Sequence, residues 1–417
     1  MTRRAVITGI GVTAPSGVGA AAHWDTVLKG ENRIGRISLF DPARYPVTLA
    51  GEVRGFVPTD HVASKLRVQT DRWTWLGLAA ADEAFGDAAL DPAGVPPYEI
   101  AATLASSSGG NLFGQKELQR LWSNGTARQV GAYQSIAWFY AASVGQVTIK
   151  HGLKGASSVL CAESAGGLDS LAHAARTIRR GASVVLAGGT ECPLSPYALV
   201  CQLSKGQLTT RTDPERAYRP FDVDADGYVP AEGGAIFVVE NLDDALARGA
   251  PYIYGEVAGW GATHDAVPAH RSNGGSVRHY ARAMSRALET SGLDPADIDL
   301  VLPDALGVPA FDVSEAEAMR SVFGVDALPV VTTQKALVGR MYQGGAALDV
   351  ATALLAMRHR YVPGTAGIDQ PAPGCELNFA YTSHRAAPDA AMVNARGYDG
   401  FNSSVVIRRY PRETEAQ

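Results

Sequence analysis

Short apolar runs alternate along this chain with stretches whose apolar residues recur every three to four positions, the mark of strands alternating with amphipathic helices. Ala5–Ile10 reads as a first strand, and His23–Lys29 as a helix ended by Gly30. Asp71–Phe85 has helical spacing, Ile100–Leu104 is a buried strand, and Ser106–Gly110 is a turn. Leu168–Arg180 reads as a helix closed by Gly181, with Arg179 and Arg180 in its last turn, where positive charge suits the helix dipole. Ser183–Ala187 and Ala235–Val239 are strands. A second series follows: strand Gly255–Gly261, helix Val277–Ser291, strand Asp299–Leu302, helix Ser314–Phe323, strand Pro329–Thr333, helix Ala346–Met357 and strand Ser403–Arg409. This order predicts an α/β fold with largely parallel sheets. The similar order of the two series suggests an internal duplication, with halves at 1–254 and 255–410. The polar tail Arg412–Gln417 is expected to fray.

Composition narrows the function classes. At 417 residues with 46% hydrophobic and 19% charged positions, the chain can bury one large double domain. A net charge of −5 without a basic tail argues against nucleic acid as a partner. No apolar run approaches the roughly 20 residues of a membrane span, and the N-terminus lacks the apolar core of a signal peptide, so a cytoplasmic protein is expected. Cys161, Cys192, Cys201 and Cys375 form no metal-ligand spacing and are expected to be buried, reduced thiols; no metal is expected.

The segment Ser158–Asp169 reads as strand, tight turn and helix start, with Ser164 at the apex. Such a turn can hold a nucleophile at a helix N-terminus. Ala162, Ser164 and Gly166 also make a near miss for the G-x-S-x-G elbow of hydrolases. On the motif alone, a structural turn serine and a nucleophile both remain open.

The segment Ala162-Glu163-Ser164-Ala165-Gly166-Gly167 resembles the nucleophile turn of ketosynthases of the thiolase fold, Thr-Ala/Gly-Cys-x-Ser/Gly-Gly. It is more similar still to the Ala-Glu-Gln-Ala-Gly-Gly-Leu-Asp of chain length factors, the ketosynthase β subunits of bacterial type II polyketide synthases; only Ser164 departs, standing for the glutamine. Pro303–Asp312 falls where condensing enzymes carry Ala-His-Gly-Thr-Gly-Thr, with Leu306 at the histidine. Gln334–Ala346 falls at Lys-x-x-x-Gly-His; Lys335 and Gly339 are kept, and Arg340 stands at the second histidine. Gly397–Ser403, including Phe401, resembles the Gly-Phe-Gly-Gly-x-Asn/Gln loop beside the active site, and Arg219–Asp222 and Gly227–Gly234 match two further landmarks. The resemblance spans nearly the whole chain. It implies a duplicated five-layer α-β-α-β-α fold and a heterodimer with a catalytic ketosynthase α subunit.

Condensation needs a thiol to carry the acyl chain and donors to stabilise an enolate. On this alignment Ser164 could form only an oxygen ester, Leu306 transfers no proton, and Arg340 stays charged near neutral pH. Lys335 is expected to orient or to form a salt bridge. Cys161 lies on the presumed strand, and His173, His264, His270, His279, His359 and His384 fall in no catalytic context. No cofactor is expected to be bound; the phosphopantetheine arm would arrive on an acyl carrier protein.

Asn111, Gly114 and Leu118 lie on one face of a helix over Asn111–Trp122. Gly114 could simply admit a packing neighbour. In chain length factors, however, this helix walls the tunnel for the growing chain, and short-chain members carry phenylalanine, threonine and phenylalanine at these places. The smaller residues here would imply a deeper tunnel. Tyr133, Ile136, Trp138, Phe139 and Tyr140 could complete the wall or be core, and Tyr197, where relatives have tryptophan, could seal the interface together with Phe139. The expected function is therefore a non-condensing chain length factor of an aromatic polyketide synthase. The alternatives are a self-sufficient acyltransferase or hydrolase using Ser164, which would need a base near its hydroxyl, and a scaffold without influence on product length.

Overall fold

A computed structural model of the chain describes residues 3–124, 129–267 and 273–410. Ten strands build the framework. β1 (Ala5–Ala14), β2 (Ile100–Ala105), β3 (Ser157–Leu160), β4 (Val184–Glu191) and β5 (Gly233–Asn241) belong to the first half. β6 (Gly255–His264), β7 (Leu300–Leu302), β8 (Val330–Val331), β9 (Ala390–Gly397) and β10 (Phe401–Arg408) belong to the second. Their order is β8-β7-β9-β10-β6-β1-β5-β4-β2-β3, and Gly17–Val18 adds a short hairpin on β1. In the first half β1 runs antiparallel to β5, β5 antiparallel to β4, and β4, β2 and β3 are parallel. The second half repeats this with β6, β10, β9, β7 and β8. The halves join where Val6 and Ile7 pair with Glu256 and Gly255. The duplication expected from element order is thus present in the topology.

Helices make three layers. α1 (Ala20–Lys29) ends, as expected, at Gly30 in the left-handed region. α2 (Arg72–Asp87) is capped by Asp71 and covers the outer face of β1 and β5, with α4 (Ala142–His151) beside it; α3 (Asn111–Asn124) lies apart, near the site described below. α7 (Val277–Ser291) and α8 (Pro309–Phe323) cover the second half in the same way. Between the sheets lie α5 (Gly166–Arg179) and α9 (Gln343–His359), each touching strands of both halves, with α6 (Pro196–Leu203) at the rim. α9 is buried along nearly its whole length, because apolar and small residues surround it on all sides. Alternate residues of each strand feed separate cores: Phe237 and Val239 face the central layer, Ile236 and Val238 the outer helices. These are the five layers of the thiolase-like fold.

The closest fit between sheet and helix repeats too. A Cβ on Gly9 or Gly11 would lie 2.1 or 1.8 Å from the carbonyl oxygens of Ala84 and Ala80, and one on Gly259 or Gly261 would lie 2.2 or 2.1 Å from those of Ala287 and Ala283. Some expectations need correction. β4 runs on through Gly188 and Gly189 to Glu191, since these glycines still pair with Ile236 and Ala235. α8 starts at Pro309, a residue suited to a first helical turn, rather than at Ser314. The strand over Pro329–Thr333 shrinks to two residues, and β9 was not foreseen. Cys192 and Cys375 are buried, but Cys161 and Cys201 are exposed: Cys161 follows the edge strand β3 instead of lying in it, and Cys201 is on the outward side of α6. His270 and Arg412–Gln417 lie outside the described residues.

Candidate functional site

Ser164 sits in a single 3-10 turn, Glu163–Ala165, leading from β3 into α5. The turn needs Glu163 at φ 48°, a left-handed conformation costly for a side chain other than glycine. Gly397 allows this turn to meet the second half: a Cβ there would lie 2.4 Å from the Ala162 carbonyl oxygen. Ser164 is buried, and its hydroxyl has no hydrogen-bond partner among the described residues. The Gln343 side chain, packed against Gly166, is likewise buried without partners. Among the described residues no base hydrogen-bonds the Ser164 hydroxyl, the contact that activates a serine nucleophile.

Glu163 bridges the halves. Its Oε2 accepts the backbone N–H of Ser164 at 2.7 Å and that of Tyr398 at 2.9 Å. Leu306, Arg340 and Glu163 line one cavity of about 360 Å³, together with Lys205, Tyr228, Arg396, Asn402 and the Gly397–Gly400 loop. No cysteine or histidine is among the described residues that line it. Leu306 follows Ala305, which has φ 50°. Arg340 is buried and donates to Asp304 Oδ1 at 2.9 Å, to the Asp304 carbonyl at 3.2 Å and to the Arg396 carbonyl at 2.9 Å. Lys335 sits behind this wall: its Nζ donates to the Pro303 carbonyl at 2.9 Å and pairs with Asp349, whose carboxyl burial pushes up. Phe401 opens β10 and meets His264 edge to face, with centroids 4.8 Å apart.

A second cavity, of about 300 Å³, shares Glu163 and Lys205 with the first. Burial pulls the Lys205 ammonium below the usual lysine range, and its nitrogen lies 4.0 Å from the Tyr398 ring centre. The second cavity is lined by Asn111, Trp138, Tyr140, Tyr197 and Cys201 among others. Of the three positions on α3, only Asn111 reaches it. Gly114 faces Trp138: a Cβ there would lie 2.9 Å from the indole Cδ1. Leu118 is exposed, as are Tyr133, Ile136, Trp138, Phe139 and Tyr197, with Trp122 at 79%. Beneath the Ser107–Ser108 turn at the cavity edge lies Glu191, fully buried, accepting both backbone N–H groups and both hydroxyls. Burial pushes its carboxyl up to about 7, against the pull of these hydrogen bonds. Cys161, exposed as a residue, donates its S–H to the Ser106 carbonyl at 2.9 Å; partial desolvation of the sulfur, then the Glu191 charge, raises its thiol.

The beta-ketoacyl synthase N-terminal domain matches residues 2–245, and the C-terminal domain of the same family matches 254–369. The chain belongs to the β-ketoacyl synthase family. Within the family it is 47% identical to the tetracenomycin polyketide synthase ketoacyl synthase β subunit of Streptomyces glaucescens, over 97% of this chain and 98% of that one. It is 45% identical to the actinorhodin polyketide β-ketoacyl synthase 2 of Streptomyces coelicolor, again over 97% and 98%. Among solved structures, the ishigamide ketosynthase/chain length factor superposes with a TM-score of 0.91 at 25% identity, covering 99% of this chain and all of that one. The likeness to polyketide ketosynthase β subunits read from the motifs is borne out.

Sequence reasoning singled out Ser164, Leu306, Lys335 and Arg340 but passed over Glu163, Asp304, Lys205 and Glu191. Glu163 carried a signal: it stands inside the motif where condensing ketosynthases have alanine or glycine. Asp304 and Lys205 carried none, because their partners are supplied by distant segments.

Proposed function

We propose that this chain is the non-condensing chain length factor of a type II aromatic polyketide synthase. It pairs with a catalytic ketosynthase α subunit and shapes the tunnel that receives the growing polyketide. The partner supplies cysteine and histidines, and a cytoplasmic acyl carrier protein brings the chain on its phosphopantetheine arm. The observation that carries this reading is a contrast: a buried Ser164 hydroxyl without a partner among the described residues, and Leu306 and Arg340 lining the first cavity, while the neighbouring second cavity opens among exposed aromatic residues. Trp122, Phe139, Tyr197 and Val200 are each more than half exposed, and such a surface suits burial against a partner in an interface of over about 2,000 Å². Asn111 and Trp138 are the tunnel wall in this reading, with Gly114 seating the indole. Tyr133, Ile136, Phe139, Leu118 and Tyr197 meet the partner.

Production with and without a cognate α subunit tests the proposal. The pair is expected to co-purify and to make one dominant polyketide, while the single chain makes none. Condensation by the single chain, or a stable monomer indifferent to the α subunit, contradicts it.

A further inference from the structure

We infer that Glu163 occupies an intact oxyanion hole with its own carboxylate, so that the chain blocks its acyl-binding centre from within. The argument starts from two backbone amides. The N–H of Ser164, at the entry to α5, and the N–H of Tyr398, in the turn between β9 and β10, converge on the single oxygen Oε2 of Glu163 at 2.7 and 2.9 Å. Two fixed amide donors converging on one anionic oxygen beside a side-chain hydroxyl form the arrangement that stabilises the oxyanion of acyl transfer. Here the oxygen belongs to the residue before the hydroxyl. The cost of keeping it there is visible in the backbone, since Glu163 holds φ 48°.

The surroundings agree. The Ser164 hydroxyl and the Gln343 amide lie buried beside the turn without partners, as groups fitted to something other than one another. Lys205 and Arg340, cations of the adjoining cavity, add their fields to the Glu163 carboxylate. Loss of the thiol is therefore one of two independent blocks. The hole itself survives, filled, and would take the carbonyl oxygen of an acyl ester or thioester once Glu163 is shortened. This inference goes beyond the proposed chain-length role and does not depend on it.

The test separates acylation from mere access. In the full chain, co-purified with an α subunit whose own reactive cysteine is replaced, Ser164→Cys introduces a thiol. With p-nitrophenyl acetate, the thiolate adds to the carbonyl carbon, the electron pair rests on the oxygen, and the C–O bond then breaks to release p-nitrophenolate; the thiol proton goes to water. With iodoacetamide, the thiolate displaces iodide and no oxyanion forms. Peptide mass mapping reads position 164 apart from the exposed Cys161 and Cys201. Adding Glu163→Ala is expected to raise the ratio of acylation to alkylation rate about 100-fold over Ser164→Cys alone. Glu163→Gln, whose amide oxygen still accepts both N–H groups, is expected to leave the ratio within a few-fold. Glu163→Gly suits the left-handed backbone and repeats the alanine result in a variant that folds readily. An unchanged ratio in Glu163→Ala and Glu163→Gly, or an equal rise in Glu163→Gln, overturns the inference. Either result leaves the non-condensing reading intact, because product formation by the unaltered chain is measured separately.

Discussion

The two cavities that share Glu163 and Lys205 have opposite linings. The first is enclosed by the chain's own charges: Glu163 on two amides, Arg340 on Asp304, and Arg396 on Gly274 and Ser314. The second is walled by Trp138, Tyr140 and Tyr197 and gives onto exposed apolar residues. The buried arginines of the first cavity are paired within the chain, although the Asn402 side-chain oxygen there has no partner among the described residues, whereas rings in the second remain uncovered in the single chain. A buried charge beside a cavity is tolerated when it finds a partner within the chain.

The largest effect is expected where that new partnership is broken. Asp304→Ala leaves Arg340 charged and buried, at a cost of about 3–5 kcal/mol. Urea unfolding of Asp304→Ala should show this loss, and the double variant Asp304→Ala with Arg340→Met should recover most of it. Equal stability of Asp304→Ala and the unaltered chain would mean that the pair does not hold the first cavity shut.

The second cavity is probed through product length. Gly114→Thr places atoms where Trp138 Cδ1 now lies, so the indole must move, and in the reconstituted pair products should shorten by at least one two-carbon unit. Trp138→Ala should lengthen them, and Asn111→Phe should shorten them. Mass spectrometry of products reads the outcome, with native mass spectrometry to verify that the heterodimer persists. If the dimer persists and length is unchanged in all three, this wall does not measure the chain.

A smaller effect concerns pH. The Glu191 carboxyl titrates near 7 in the folded chain, against an ordinary value of 4.5. Below about 4.5 both folded and unfolded chains hold the proton. Between there and about 7 the unfolded chain loses it first, so stability falls as pH rises across that window and levels off above it. At about 1.4 kcal/mol per pK unit the drop is at most about 3.5 kcal/mol. Glu191→Gln should flatten the dependence of Tm on pH between 5 and 8; an unaltered slope would show that this carboxyl does not titrate there. The smallest effect is chemical labelling. Cys201, on the rim of the second cavity, should react with a maleimide in the free chain and be protected in the pair.

Much of this was legible in the sequence, for identifiable reasons. Helix Val277–Ser291 could be read to the residue because Ser276 and Gly292 cap it and its apolar face is regular. The two series of elements foretold the repeated topology. β9 escaped notice because Asn394 and Arg396 interrupt its apolar pattern; only the folded chain reveals that Arg396 is held by carbonyls of other segments. The site split in the same way. Residues standing at family positions were visible one by one, but the Glu163 clasp depends on Tyr398, 235 residues away, and the closing of Gly114 depends on an indole from another loop.

The middle layer also governs how the molecule must be made. α5 comes from the first half and α9 from the second, yet each packs against strands of both. β1 waits for β5, some two hundred residues later, and β6 waits for β10 at Phe401–Arg408. Pairings this distant make folding slow, because loop closure precedes any reward from contact. A ribosome that has passed the first half has released a sheet whose inner face carries α5 but still lacks α9. Apolar surface left uncovered until the second half arrives is the kind that chaperones bind and that drives aggregation in large proteins.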